Sequence, residues 1–192
     1  MKKIGFLLLL AVMLGISGTA LAQGDNSVYF TTYYANNVAA APDATVRFIN
    51  DGDTGGNLWA AFYVFDDSQE LTQCCACEIT PDGLLSESVK NELTNHPLTG
   101  KVPVRGVIKV ISSATYDPTA TKPTAGLRGW ATHIQSTANK YPNGPAPYSQ
   151  TETAVADSNL SSGEQSLLQS LCYYDGLLSG QQCSCTPEDY DF

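Results

Sequence analysis

The chain has 192 residues, 43% of them hydrophobic, and carries 19 acidic against 10 basic residues for a net charge of −9. That balance excludes the usual surfaces for nucleic acid and for anionic membranes, which depend on clustered Lys and Arg; no Lys or Arg lies between Gln23 and Val46. The acidity itself is explained by solubility outside a cell, and the length suffices for one domain with a real core.

Residues 1–22 read as an export signal. Lys2 and Lys3 form a basic start, Phe6 to Leu14 is an apolar stretch too short to span a bilayer, and Ala20-Leu21-Ala22 is a small-x-small cleavage site. Cleavage would leave 170 residues beginning at Gln23, with eight basic against nineteen acidic residues. Gln in place of Cys at that point argues against a lipid anchor. No later stretch is apolar enough to span a membrane, so the expected destination is the periplasm or beyond.

Past the signal, helix formers are sparse, and short β-branched or aromatic runs alternate with Gly, Pro, Asn and Ser, the profile of a mainly β domain. Residues 23–44 form an N-terminal segment: a strand over Ser27 to Tyr34, then a soft linker over Ala35 to Ala44. The main domain spans 45–186. Thr45 to Asn50 alternates as a half-buried strand. The turn-forming run Asp51 to Asn57 tolerates positive φ. Leu58 to Phe65 is apolar throughout, as a central strand buried on both faces should be. These two strands are expected to form a hairpin.

Leu71 to Ile79 is the next strand, and Thr80-Pro81-Asp82-Gly83 a strong turn. Over Leu84 to Leu93 both periods compete; we favour a strand over Leu84 to Val89. Val104 to Ser112 and Leu127 to Gln135 are strands, separated by a Pro/Thr loop over Thr115 to Gly126. Ser136 to Ser149 is a Pro/Gly/Asn loop. One helix is predicted at about 162–174: Ser161 and Glu164 fit a capping box, Leu167, Leu168, Leu171 and Cys172 share a face, and Gly176 supplies the C-terminal cap. Residues 187–192 are an acidic tail. The expected fold is a single β-sandwich-like domain with one short C-terminal helix.

Six cysteines fall into two tight groups, Cys74, Cys75 and Cys77, then Cys172, Cys183 and Cys185. In an exported chain an even number of thiols reads as disulfides, although fifteen pairings are open. On a strand, Cys75 and Cys77 share a face and Cys74 points the other way. The first group is therefore expected to pair mainly with the second, stapling helix and C-terminal segment to the sheet. A metal site is the weaker alternative, since zinc sites more often use a two-residue gap and exported thiols oxidise.

Other constellations point to little chemistry, and no cofactor is expected. Asp51, Asp53 and Asn57 resemble a calcium loop, with Asp66 and Asp67 as further oxygen donors. Gly55 stands where a ligand belongs, however, and position twelve is Phe62 rather than Glu, so a glycine-rich turn is the better account. His96 precedes Pro97 in a turn. His133 lies on a strand with no Gly-x-Ser-x-Gly elbow nearby, and a structural histidine is favoured. Paired carboxylates at Asp66-Asp67 and Glu188-Asp189 are neighbours in a turn and a tail, not two groups flanking a cleft. Aromatics offer the best case for binding: Tyr141, Tyr148 and Trp130, with His133, are the candidate ligand contacts, although burial in the core accounts for large aromatics more often.

The segments APDATVRFINDGDTGGNLWAAFYVFD, CCACEITPDGLLSESV, NHPLTG, GVIKV, LRGWATHIQ, LSSGEQSLLQSLC and the final CSC resemble a family of uncharacterised secreted bacterial proteins, found mainly in acidobacteria. The resemblance covers roughly Ala41 to Cys185 and departs over Asp175 to Gln182. It implies a secreted, disulfide-linked protein and brings no activity. With no enzyme signature among the residues, the expected role is non-catalytic: a secreted or cell-surface protein that binds or assembles. Carbohydrate binding through aromatics and self-assembly by addition of Ser27–Tyr34 to a neighbour's sheet are the alternatives, making polysaccharide or further copies of the chain the expected partners. A secreted enzyme ranks last.

Overall fold

A computed structural model describes residues 26–35, 41–95, 100–136 and 148–179, together with Cys183 and Cys185. The signal, the acidic tail, His96, Tyr141 and most of the loop before Tyr148 lie outside the described residues. The fold is mainly β, with two antiparallel sheets and one helix among the described residues. The strands are β1 (Tyr29–Ala35), β2 (Thr45–Asn50), β3 (Leu58–Asp66), β4 (Leu71–Ile79), β5 (Leu84–Ser88), β6 (Arg105–Ser113), β7 (Leu127–Ser136), β8 (Tyr148–Ala154) and β9 (Ala156–Asp157), and the helix is α1 (Ser162–Ser179). The first sheet has the order β4-β3-β6-β1-β9 and the second β5-β2-β7-β8.

Apolar patterning places three layers. Phe30, Phe48, Phe62, Val64, Ile108, Val110, Leu127 and Ile134 fill the space between the sheets. On the first sheet's other face, Tyr29, Ala61, Tyr63, Cys74 and Ile111 meet Leu168 and Cys172 of α1. β3 is apolar on both faces because it lies between these two clusters: Phe62 and Val64 face the second sheet, while Ala61 and Tyr63 face the helix. Each set buries apolar surface at roughly 25 cal/mol per Å2, so β3 can occupy only the middle layer.

This layering overturns the expected β2–β3 hairpin. β2 pairs with β5 and β7, whereas β3 pairs with β4 and β6. The run Asp51 to Asn57 crosses from one sheet to the other. Buried Asn50 fixes the crossing: its Nδ2 donates to the carbonyls of Gly56 at 2.9 Å and Ile79 at 3.0 Å, and its Oδ1 accepts from the Gly52 amide at 3.1 Å. Turn composition signals a reversal but not which sheet receives the next strand; the two-sided apolarity of β3 decides that.

The ambiguous segment after Gly83 is a strand, β5, registered antiparallel to β2 from Thr45↔Ser88 to Ile49↔Leu84. The N-terminal strand pairs with β6 along its whole length and with β9 at Phe30 and Thr31. β8 and β9 were not foreseen. All seven residues of β8 are exposed, so the strand has no apolar face to betray it, and its register with β7 holds it in place.

The helix begins as its cap predicts, the Glu164 amide donating to Ser161 Oγ at 3.1 Å. The Glu164 carboxylate, however, accepts from Lys109 Nζ at 2.6 Å and Tyr29 Oη at 2.9 Å, linking helix to sheet. These hydrogen bonds, with Lys109's the stronger effect, hold the Glu164 carboxyl below the usual carboxylate range against the opposing effect of burial. The expected stop at Gly176 is also corrected: α1 runs to Ser179. Gly inside a helix costs only about 1 kcal/mol, and the tertiary hold on Cys172 and buried Asp175 outweighs it.

Candidate functional site

Each cysteine of the first group is bonded to one of the second: Cys74–Cys172, Cys75–Cys183 and Cys77–Cys185, separated by 98, 108 and 108 residues. Cys74 faces the helix, while Cys75 and Cys183 belong to the core between the sheets. The first bridge thus fixes α1, and the other two fix the C-terminal segment beside β4.

Asp51, Asn57, Asp66 and Asp67, weighed for calcium, have protein partners. Asp51 Oδ1 accepts from the Asp53 amide at 3.1 Å, and its Oδ2 lies 3.4 Å from Arg128. Asn57 donates to Glu78, Asp66 accepts from the amides of Ser68 and Glu70, and Asp67 pairs with Arg105 at 2.6 Å.

Among the described residues, the predicted contacts Trp130, Tyr148 and His133 do not share one surface. Trp130 is partly exposed on the second sheet, in register with Arg47 and Ala154. Tyr148 is exposed opposite Ser136, six residues further along the same pair of strands, or about 20 Å away. His133 is buried beneath Tyr33, with ring centroids 4.1 Å apart and planes 15° from parallel, and its Nε2 lies 2.9 Å from Thr153 Oγ1. Tyr33 Oη accepts from Gln135 Nε2 at 3.0 Å. These contacts tie β1 to β7 across the sandwich and fit a structural histidine.

Burial holds the His133 pKa below its ordinary 6.5, the Tyr33 backbone acting more weakly in the opposite sense. Well above pH 6.5 the ring is neutral in folded and unfolded chains alike. As pH falls below that value the unfolded chain takes up the proton first, so stability declines until the folded pKa is passed. Urea denaturation from about pH 7.5 to 5 should show this loss. His133→Gln should flatten it and His96→Gln should not; an unchanged slope in His133→Gln would exclude the buried ring as its source.

A different surface collects aromatic and hydroxyl groups. Gln165 and Gln169 Nε2 donate to Thr121, the former to its carbonyl at 3.0 Å and the latter to Oγ1 at 3.0 Å, tying α1 to the loop before β7. Above this seam lies an open trough of about 420 Å3, lined by Thr119, Ser166, Gln169, Ser170, Tyr173 and Tyr174. Tyr173 and Tyr174 are 54% and 61% exposed, and their rings meet edge to face at 5.7 Å. Among the described residues, no acidic or basic side chain lines the trough. Thr119 Oγ1 donates to Asp117 at 2.7 Å, which leaves its lone pairs to act as acceptors.

Sequence reasoning missed this surface because it followed only the buried stripe of α1. Two consecutive tyrosines on the side of the helix away from that stripe were the available signal. No family model, curated protein or solved structure matches the chain, and no described helix is long and apolar enough to cross a membrane.

Proposed function

We propose that this is an exported, non-catalytic binding protein, and that the trough on α1 takes neutral carbohydrate. The observation that carries this reading is the trough's lining: exposed tyrosine rings beside hydroxyl and amide groups, without a charge. Sugar rings offer C–H faces that pack on aromatics and hydroxyls that exchange hydrogen bonds with Ser, Thr and Gln. An open trough suits a polymer chain better than a small enclosed ligand. The net charge of −9 disfavours anionic glycans. Export is supported by the signal-like N-terminal sequence and by three disulfides, which fit an oxidising compartment. Assembly by addition of Ser27–Tyr34 to another copy would require β1 to leave its place between β6 and β9, so ligand binding is favoured over assembly.

Retention on cellulose, chitin, starch and mannan tests the reading. Wild-type protein should be held by at least one of these. Tyr173→Ala and Tyr174→Ala should each weaken retention about tenfold, or 1.4 kcal/mol, while Trp130→Ala leaves it unchanged. Both tyrosines are exposed, so their loss should alter stability by no more than about 0.5 kcal/mol. Retention indifferent to both substitutions would move the site elsewhere, and no retention on any of the four would reject the carbohydrate reading.

A further inference from the structure

The two bridges to the C-terminal segment bring three sulfurs into one group, with a fourth bonded to one of them. Cys75 pairs with Cys183 and Cys77 with Cys185, the same offset of 108 residues, with Cα–Cα distances of 5.3 and 5.2 Å. Cys183 and Cys185 therefore follow Cys75 and Cys77 in the same chain direction. The non-bonded sulfurs of Cys75 and Cys77 lie 3.8 Å apart, and those of Cys75, Cys77 and Cys185 all fall within 4.8 Å of one another. Cys183 Sγ is bonded to Cys75 but lies outside that 4.8 Å group, so it would swing toward the other three once its bridge opens. Cys74 and Cys172, bridged on the opposite face of β4, lie apart from it against the helix.

We propose that Cys75, Cys77, Cys183 and Cys185, once reduced, form a tetrathiolate site for one soft divalent ion such as Zn2+, which then holds the C-terminal segment to β4 in place of the two disulfides. A tetrahedral zinc site with Zn–S bonds of about 2.3 Å has sulfur–sulfur edges of about 3.8 Å, the spacing that β4 sets between Cys75 and Cys77. On a strand, residues two apart share a face, which makes a one-residue gap workable when a second such pair faces it. Cys185 is not buried, so ion and reductant have a way in, whereas Cys75, Cys77 and Cys183 are screened from competing water.

The chemistry balances. Opening the two disulfides takes four electrons from a thiol or phosphine reductant and four protons from that thiol or, with a phosphine, from the water whose oxygen ends in the phosphine oxide; binding the ion to four thiolates releases four protons. The oxidised chain holds its sulfurs in covalent pairs and has no thiolate to offer. The site thus belongs to the chain before oxidation or under reducing conditions.

Co2+ is the probe. The full chain without its signal is mixed anaerobically with Co2+ and a non-coordinating phosphine, in both orders of addition. One Co2+ per chain should bind, with the intense visible bands of a tetrahedral cobalt thiolate, and Zn2+ should displace it. Cys74→Ser/Cys172→Ser, which retains only the four proposed ligands, should keep the bands. Cys77→Ser/Cys185→Ser should lose them, and untreated oxidised protein should show none. Circular dichroism alongside reports whether metal added before the reductant preserves the β-sheet signal. Absence of tetrahedral bands in both orders of addition, or bands that survive Cys77→Ser/Cys185→Ser, would overturn the proposal.

Discussion

Removing all three disulfides should cost far more stability than the three single removals added together. In the chain-entropy account, one bridge across a loop of about 100 residues stabilises by about 4.7 kcal/mol. The bridges here do not close independent loops. With Cys74–Cys172 in place, Cys75–Cys183 closes only the single step along β4 and the stretch from Cys172 to Cys183, about a dozen residues and roughly 3 kcal/mol. With that bridge made, Cys77–Cys185 closes a ring of about four residues and adds roughly 2 kcal/mol. Any one pair replaced by alanine leaves two bridges carrying most of the constraint, for a loss of about 2–3 kcal/mol. The triple removal forfeits roughly 9 kcal/mol, the scale of a whole domain's stability.

Urea midpoints of the three paired variants, and of the chain lacking all six thiols, check this. The single losses should sum to about 6 kcal/mol, some 3 below the loss in the triple variant. Equality between sum and triple loss would mean that the bridges act independently through local packing. The same redundancy bears on function. α1 carries the tyrosine trough, and its hold on the sheet comes from Cys74–Cys172, Glu164 with Lys109 and Tyr29, and buried Leu168. Loss of one terminal bridge should leave the trough in place.

Much of this arrangement was legible in the sequence, for identifiable reasons. The strand bearing the first cysteine group, the two-faced burial of Leu58 to Phe65 and the cap at Ser161 each follow from a local period or a local hydrogen bond. Pairing between the cysteine groups followed from the alternation of Cys74 against Cys75 and Cys77. What was hidden depends on distant partners. β2 and β3 belong to different sheets because of what covers each face, which a turn cannot report. β8 has no buried face and so no pattern. α1 outlasts Gly176 because Cys172 and Asp175, just before it, are held against Cys74 of β4. The trough needs a helix and a loop more than 40 residues apart, seen in the bonds from Gln165 and Gln169 to Thr121. Trp130 on its predicted strand and Tyr148 in its predicted loop were candidate ligand contacts, yet register sets them at opposite ends of one strand pair.

The sandwich core offers a second large effect, in which two substitutions should partly cancel. Phe48 is wholly buried, its ring edge-on to Phe30 at 5.5 Å and to Phe62 at 5.9 Å. Its register partner on β7 is Gly129. A Cβ built on Gly129 would lie 2.4 Å from Phe48 Cε1 and 2.7 Å from Cζ, so the ring occupies the space that glycine leaves. Phe48→Ala should cost about 3–5 kcal/mol, because the two facing phenylalanines and the rigid strands cannot collapse into the void. Gly129→Ala should cost about 1–3 kcal/mol for the opposite reason, a methyl group forced into a filled site. All three contacts nearest that methyl group are atoms of the Phe48 ring. Phe48→Leu removes much of that ring, so it should be tolerated better in the Gly129→Ala background than opposite the native glycine. The double variant should be more stable than the two single losses predict, by about 1 kcal/mol. Thermal or urea unfolding of the four-member cycle measures that coupling. Strict additivity would mean that the glycine is required by the backbone of β7 and not by the ring that lies over it.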